Sequence, residues 1–328
     1  MDPVVQQYGV VSSVSTTRDQ TAYVSFRILL GAIWLLNAWF HMSAWLLVPH
    51  GQAARNLLHA FTQPVAGSPV WLQHYLMAVI HGIDALEPSA VAIGMVIVDL
   101  LLALSLLSGI RVRFFCWLGI AYSLFCWTTL DSLGFPYVHG QTDPGVFVNY
   151  MLAFFFVLGA QSMMDSRAGT HIETGRVGPF AAGRILFGAL WAVDAILKWQ
   201  PSFLTHFMEQ LTLAAQGQPA WNAAFMQFVI TIIHFIGPFP LAIVVAVMET
   251  LIAASLLTGR WLKISVPIGL FYSLAVWATG EDWGGPYNAA GTGIRGDVIG
   301  NAIIYVFIFL YLWVAIKPLS PSRTVPGN

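Results

Sequence analysis

"PSAVAIGMVIVDLLLALSLLS", residues 88–108, and "FPLAIVVAVMETLIAASLLT", residues 239–258, are apolar runs that each carry one acid near the middle, Asp99 and Glu249. A helix of about 20 such residues matches the hydrocarbon core of a bilayer. The rest of the chain agrees: 57% of its 328 residues are hydrophobic, 9% are charged and 13 are tryptophan, which lies outside the range of soluble globular domains. Six further spans are expected, at 22–47, 113–130, 144–162, 180–199, 262–279 and 297–316. The apolar stretches 71–86 and 220–236 read instead as segments lying in the interface or dipping into it.

The two opening runs are copies. A shift of 150 lays Trp71 on Trp221, Ser105 on Ser255, Gly109 on Gly259, Tyr122 on Tyr272, Trp127 on Trp277, and Gly134, Pro136 and Tyr137 on Gly284, Pro286 and Tyr287. A slightly larger shift lays Arg27, Gly31, Trp34 and Ala38 on Arg184, Gly188, Trp191 and Ala195. The basic turns Arg111/Arg113 and Arg260/Lys263 fall at equivalent places, and the positive-inside rule puts both in the cytoplasm. Each copy then crosses an even number of times. The expected fold is an all-α polytopic membrane protein with eight transmembrane helices in two parallel four-helix repeats, and interfacial helices on the outer side. Its parts are a cytoplasmic N-terminal tail (1–20), a first repeat (21–165), a cytoplasmic linker (166–179), a second repeat (180–318) and a cytoplasmic C-terminal tail (319–328). A cleft between like-oriented copies is a natural ligand site.

Several chemistries are excluded at this stage. A formal net charge of −1 with no basic stripe gives no footprint for nucleic acid. The first twenty residues lack the three-part pattern of a signal peptide, so the first apolar segment is expected to remain as an anchor. Cys116 and Cys126 are ten residues apart on one expected helix, too far for a disulfide, and no CxxC or CxxCH occurs. No haem, flavin or iron–sulfur cluster is evident.

Polar residues in so apolar a chain carry the functional reading. Gly291 to Gly296 spells a dinucleotide fingerprint, but that pattern has meaning only between a strand and a helix, and neither fits between two spans. What survives is a glycine-rich loop opening a helix, with Gly293, Arg295 and Asp297 able to hold a small oxyanion through backbone N–H groups and a guanidinium. Asp297 and Asp143 read equally as N-caps, Pro144 following Asp143 at the first helical position. Asp194 and Lys198 lie i, i+4 on one face, where the first copy has Asn37 and His41. Depth counting brings Glu249 near Asp194. This cluster is either static polar glue between helices or a proton relay, since a carboxylate at that depth is costly unless paired or protonated. Arg27 and Arg184 open their spans as snorkelling anchors. His74, His81 and Asp84 are the weak candidates for a metal; the equivalent positions of the second copy are Ala224, Thr231 and His234. Trp277 and Tyr287, with Trp127 and Tyr137, suit an interfacial belt or a flat quinone ring.

The segment "EDWGGPYNAAGTGIRGDVIGNAIIY", together with an opening span carrying an arginine and a second-span acid before "SLLTGR", resembles the DoxD/DoxX family of four-helix membrane proteins. The resemblance covers each half separately and is strongest over 239–316; Gly285 is replaced by Phe135 in the first copy. It implies a membrane subunit of a thiosulfate:quinone oxidoreductase in the bacterial or archaeal cytoplasmic membrane, and points to Glu249, Glu281, Tyr287, Asp297 and Arg184. The resulting expectation has Glu249, Asp194 and Glu281 in catalysis, Arg295, Lys198, Gly293 and Asp297 on a small sulfur oxyanion, and Trp277, Tyr287 and Arg184 on quinone. Expected partners are the lipid bilayer, quinone, a small DoxA-like subunit or a terminal oxidase, and a second copy in a homo-oligomer. The competing readings are a non-catalytic accessory or assembly subunit of a respiratory complex, and a small-anion transporter, which the lack of matching Pro/Gly-broken helices disfavours.

Overall fold

The computed structural model describes residues 3–49, 51–134, 143–168, 179–216, 218–284 and 300–315. Every regular element among them is helical. In the first half these are α1 (Pro3–Trp45), α2 (Gln52–Thr62), α3 (Val70–Ala85), α4 (Pro88–Ser108), α5 (Val112–Thr129) and α6 (Val146–Ala168). In the second they are α7 (Pro179–Lys198), α8 (Pro201–Ala214), α9 (Ala220–Ile236), α10 (Pro238–Thr258), α11 (Leu262–Thr279) and α12 (Ala302–Ala315). Four helical stretches among the described residues are long and apolar enough to cross a membrane: Gln20–Trp45, Pro88–Ser108, Pro238–Thr258 and Leu262–Thr279. The sequence reading expected eight. The remaining four expected spans are also helices, with α6 and α12 shorter in their apolar part, at Val146–Ser162 and Ala302–Ala315.

The polarity of the fold is that of a protein in lipid. Outward faces carry Ile97, Leu104, Phe114, Trp117, Val244, Leu251, Ile264 and Phe271, all well exposed, while Asn37, His41, Asp99, Asn149, Asp194 and Glu249 are buried. Water would penalise such a surface, and a bilayer removes the penalty.

Helix α1 packs on α4 and α5 on α6, just as α7 packs on α10 and α11 on α12; the halves meet along α6 with α7 and α1 with α12. Small residues set the closest approaches, as membrane helix pairs require. A Cβ on Gly31 would lie 3.0 Å from Leu106 Cβ, and one on Gly188 would lie 3.0 Å from Leu256 Cβ. Gly119 lies under the Phe154 ring and Gly269 under the Phe309 ring. Helices α4 and α10 end on Gly109 (φ 81°) and Gly259 (φ 73°), the left-handed cap that glycine adopts without strain. Each cap is covered by an arginine from the facing helix, Arg27 and Arg184, the latter donating to Leu256 O. A guanidinium there satisfies orphan carbonyls at a helix C-terminus.

The acidic loops that looked functional in sequence contain helix caps. Asp131 Oδ2 accepts the Phe147 N–H of α6 at 2.9 Å, and the Glu281 carboxylate accepts the Ala302 N–H of α12 at 2.9 and 3.1 Å. The acid ending one helix thus caps the start of the next. Helix α6 begins at Val146, two residues after Pro144, and Asp143 Oδ1 accepts the Gly145 N–H at 2.8 Å. Both acids thus bind backbone N–H groups at the start of α6, Asp143 that of Gly145 and Asp131 that of Phe147. Gly145 and Gly300 are required because a Cβ at either would strike the capping carboxylate. Asp131→Ala should lower stability by about 0.5–2 kcal/mol, the usual worth of an N-cap; an unchanged thermal midpoint in detergent would remove that role.

Candidate functional site

In each half one helical stripe carries polar groups into the bundle. On α1 it runs Leu30, Trp34, Asn37, His41, and on α7 Phe187, Trp191, Asp194, Lys198; the i, i+4, i+7, i+11 spacing keeps each set on one face. Helices α4 and α10 present Asp99 and Glu249 to these stripes, and the last two helices of each half add tyrosines.

In the first half His41 Nδ1 meets Asp99 Oδ2 at 2.7 Å, and His41 stacks on Trp45 with ring centroids 4.3 Å apart. Asn37 Nδ2 donates to the Tyr150 hydroxyl at 2.9 Å. Tyr122 lies within electrostatic reach of Asp99, although its hydroxyl closes no hydrogen bond. In the second half Tyr305 donates to Asp194 Oδ2 at 2.7 Å and Tyr272 donates to Glu249 Oε1 at 2.5 Å. Lys198 Nζ stands 3.6 Å from Glu249 Oε1 and 5.3 Å over the Phe203 ring. Asp194 is within electrostatic reach of Lys198, Glu249 and Asp143. The Asp194, Lys198 and Glu249 grouping that depth counting suggested is thus assembled.

Both clusters leave buried polar atoms without a partner. In the first these are Trp34 Nε1, Asn37 Oδ1, His41 Nε2, Trp45 Nε1, Asp99 Oδ1, Tyr122 Oη and Ser123 Oγ; in the second, Trp191 Nε1, Asp194 Oδ1, Glu249 Oε2 and Ser273 Oγ. Buried polar atoms are nearly always bonded, so donors and acceptors converging in this way form a polar site inside each bundle. The tyrosines were not recognised beforehand as site residues. Tyr122 and Tyr272 entered the sequence reading only as repeat markers and Tyr305 only as the last residue of the segment 281–305, and Tyr150 did not enter it. Their recurrence inside otherwise hydrocarbon helices was the available signal.

Between the halves lies an apolar crevice of about 450 Å³, lined among others by Trp127, Pro144, Met151, Phe155, Leu190 and Leu197. Helix α7 serves both sites. Leu186, Ala189, Leu190, Val193 and Leu197 face the crevice, while Trp191, Asp194 and Lys198 belong to the polar cluster. Trp127, held by its Nε1–H to Pro144 O at 2.8 Å, lines this crevice. Its counterpart Trp277, expected on quinone, packs against Trp283 at 5.2 Å.

Other expected site residues are dispersed. Arg184 covers the Gly259 end of α10, whereas Trp277 lies fifteen residues along α11 from Leu262, roughly 22 Å away at 1.5 Å per residue; the two cannot share one small ligand. Glu281 caps α12. His74, His81 and Asp84 all lie on α3 and are exposed, and no group of three His, Cys, Asp or Glu among the described residues is arranged to hold a metal. Tyr287, Gly293, Arg295 and Asp297 lie outside the described residues. Asn149 Nδ2 donates to Asn301 Oδ1 at 2.6 Å and Asn301 Nδ2 to Asp143 Oδ1 at 2.8 Å, tying the starts of α6 and α12 together across the halves. Comparison of the chain with protein-family models, curated proteins and solved structures found no match.

Proposed function

We propose that the chain is a membrane-embedded, quinone-linked oxidoreductase subunit, built of eight spans in two like-oriented four-helix halves similar to the DoxD/DoxX family. The duplication reading is supported by the paired contacts of Gly31 and Gly188, Gly119 and Gly269, and Arg27 and Arg184. The observation that carries the redox reading is the crevice between α6 and α7, backed on the far side of α7 by a buried carboxylate cluster. Its size falls within the range of about 300–1,000 Å³ typical of small-molecule sites. A lipid-soluble ring that accepts two electrons and two protons needs an apolar entry from the bilayer and a nearby proton-handling group.

The donor in this reading is thiosulfate. Two thiosulfates form one S–S bond and release two electrons, which reduce one quinone with uptake of two protons. Gly293, Arg295 and Asp297, which lie outside the described residues, would hold the dianion at the outer face. Purified chain in nanodiscs should consume a soluble quinone only when thiosulfate is added, with one tetrathionate formed per quinol. No reduction by the isolated chain, with strict copurification of a haem protein, would replace this reading with that of an accessory subunit. Ala189→Trp, which fills the crevice, should raise the quinone KM by about tenfold, equivalent to ~1.4 kcal/mol of lost binding. An unchanged KM would move quinone elsewhere.

A further inference from the structure

The side chains that line the crevice between α6 and α7 carry a single N–H donor, Trp127 Nε1, and it is spent on Pro144 O at 2.8 Å. Sites that orient a small ring set a few polar groups against it. Carbonyl oxygens buried without a hydrogen bond are costly, and a quinone ring inside this crevice would bear that cost at both of its oxygens. A hydrocarbon chain has no hydrogen bond to lose.

The crevice also has the form of a channel for a chain. One wall is Leu186, Leu190, Val193 and Leu197 of α7, and the other includes Val148, Met151 and Phe155 of α6, spacings that keep each row on one helix face. From Leu186 to Leu197 is roughly 16 Å at 1.5 Å per residue. That is about half of the ~30 Å hydrocarbon core, the depth of one leaflet. Leu186, Val193 and Phe155 are exposed at the rim, while Leu152, Leu190 and Leu197 are buried at the floor. A chain can therefore enter sideways without leaving hydrocarbon. Lipid and helix side chains are equally apolar, so what it gains is packing contact along the floor.

The repeat does not carry this opening to both junctions. Phe154 over Gly119 and Phe309 over Gly269 set Val148 and Met151 against Ile303 and Val306 of α12. The first two are half-buried and the second two are buried.

We infer that the crevice seats the hydrocarbon tail of the quinone and that the ring stays outside it, so the substrate class is long-tailed lipid quinones. This rests on the quinone-linked reading and narrows it.

Equilibrium binding to the full chain in nanodiscs, without thiosulfate and read by quenching of tryptophan fluorescence, tests it. A quinone with a polyprenyl tail is compared with the same ring bearing a methyl group in place of the tail. Ala189→Trp should weaken the tailed quinone about tenfold and leave the tail-free ring within about twofold. Partition into lipid is the same for both proteins, so the ratio between them reads the crevice alone. Equal weakening of both quinones would put the ring in the crevice and overturn the inference, and so would no weakening of either. Native mass spectrometry that finds a phospholipid on the native chain and not on Ala189→Trp, with both quinones bound alike by the two, would also overturn it by assigning the crevice to an acyl chain. Leu186→Trp, at the exposed rim, keeps the test available if Ala189→Trp does not fold. Tail-dependent binding with no thiosulfate-driven reduction removes the redox reading alone. Reduction that persists while Ala189→Trp weakens both quinones alike removes this inference alone.

Discussion

Glu249→Gln is expected to lower quinone reduction by about 10²–10⁴-fold, the usual worth of a positioned proton-transfer group, while the protein stays folded. The amide oxygen still accepts from Tyr272, which donates to Glu249 Oε1 at 2.5 Å, and the side chain keeps its volume within a buried cluster. Removing the ionisable group takes from Lys198 the carboxylate 3.6 Å away but leaves Asp194 within its electrostatic reach, so the ammonium stays opposed by an acid. Stability should hold or rise as turnover falls. That separation distinguishes a proton-handling role from a packing role. The measurement is kcat in nanodiscs across pH beside a thermal midpoint on the same sample. Full turnover at every pH would leave Glu249 as polar glue between α10 and α11.

His41→Leu is expected to cost the folded chain about 3–5 kcal/mol, because it strands Asp99 as a lone buried acid. Asp99 has no measurable exposure, its Oδ2 is bound by His41 Nδ1 at 2.7 Å and its Oδ1 has no partner. Leucine nearly preserves the volume that stacks on Trp45, so the loss is electrostatic rather than a cavity effect. The double variant His41→Leu with Asp99→Leu should recover most of the stability, since an apolar pair of similar size replaces both charges. Unfolding midpoints of the two variants in one detergent check this. Equal midpoints for native and His41→Leu would mean that Asp99 is stabilised by something other than His41.

Several elements were readable from residues alone, each for a local reason. The limits of α4 at Pro88 and Ser108 and of α11 at Leu262 and Thr279 follow from proline starts, glycine stops and the length of apolar runs, which act within a few residues. The proximity of Asp194 to Lys198 is a helical spacing rule, and Glu249 could be added because a short turn after α10 constrains depth along antiparallel helices. The part of Asp131 in capping α6 was not legible, for the complementary reason. Asp143 sits immediately before α6 and obeys the local rule, yet the N–H of Phe147 is taken by Asp131, whose position depends on how α5 ends. The crevice between α6 and α7 was foreseen only as a cleft between halves; its walls come from helices whose mutual rotation no single-helix pattern encodes.

The amino-acid order by itself determined that this chain is helical and apolar enough for a bilayer, and that its polar residues recur in two sets, because hydrophobic run length and repeat spacing are one-dimensional quantities. Tertiary structure alone decided which polar atoms meet: that Tyr150 and Tyr305 reach Asn37 and Asp194, that Glu281 closes a helix end, and that Arg184 and Trp277 stand at opposite ends of a bundle. Those outcomes depend on the rotation and depth at which separate helices dock, which side-chain packing across long sequence separations sets.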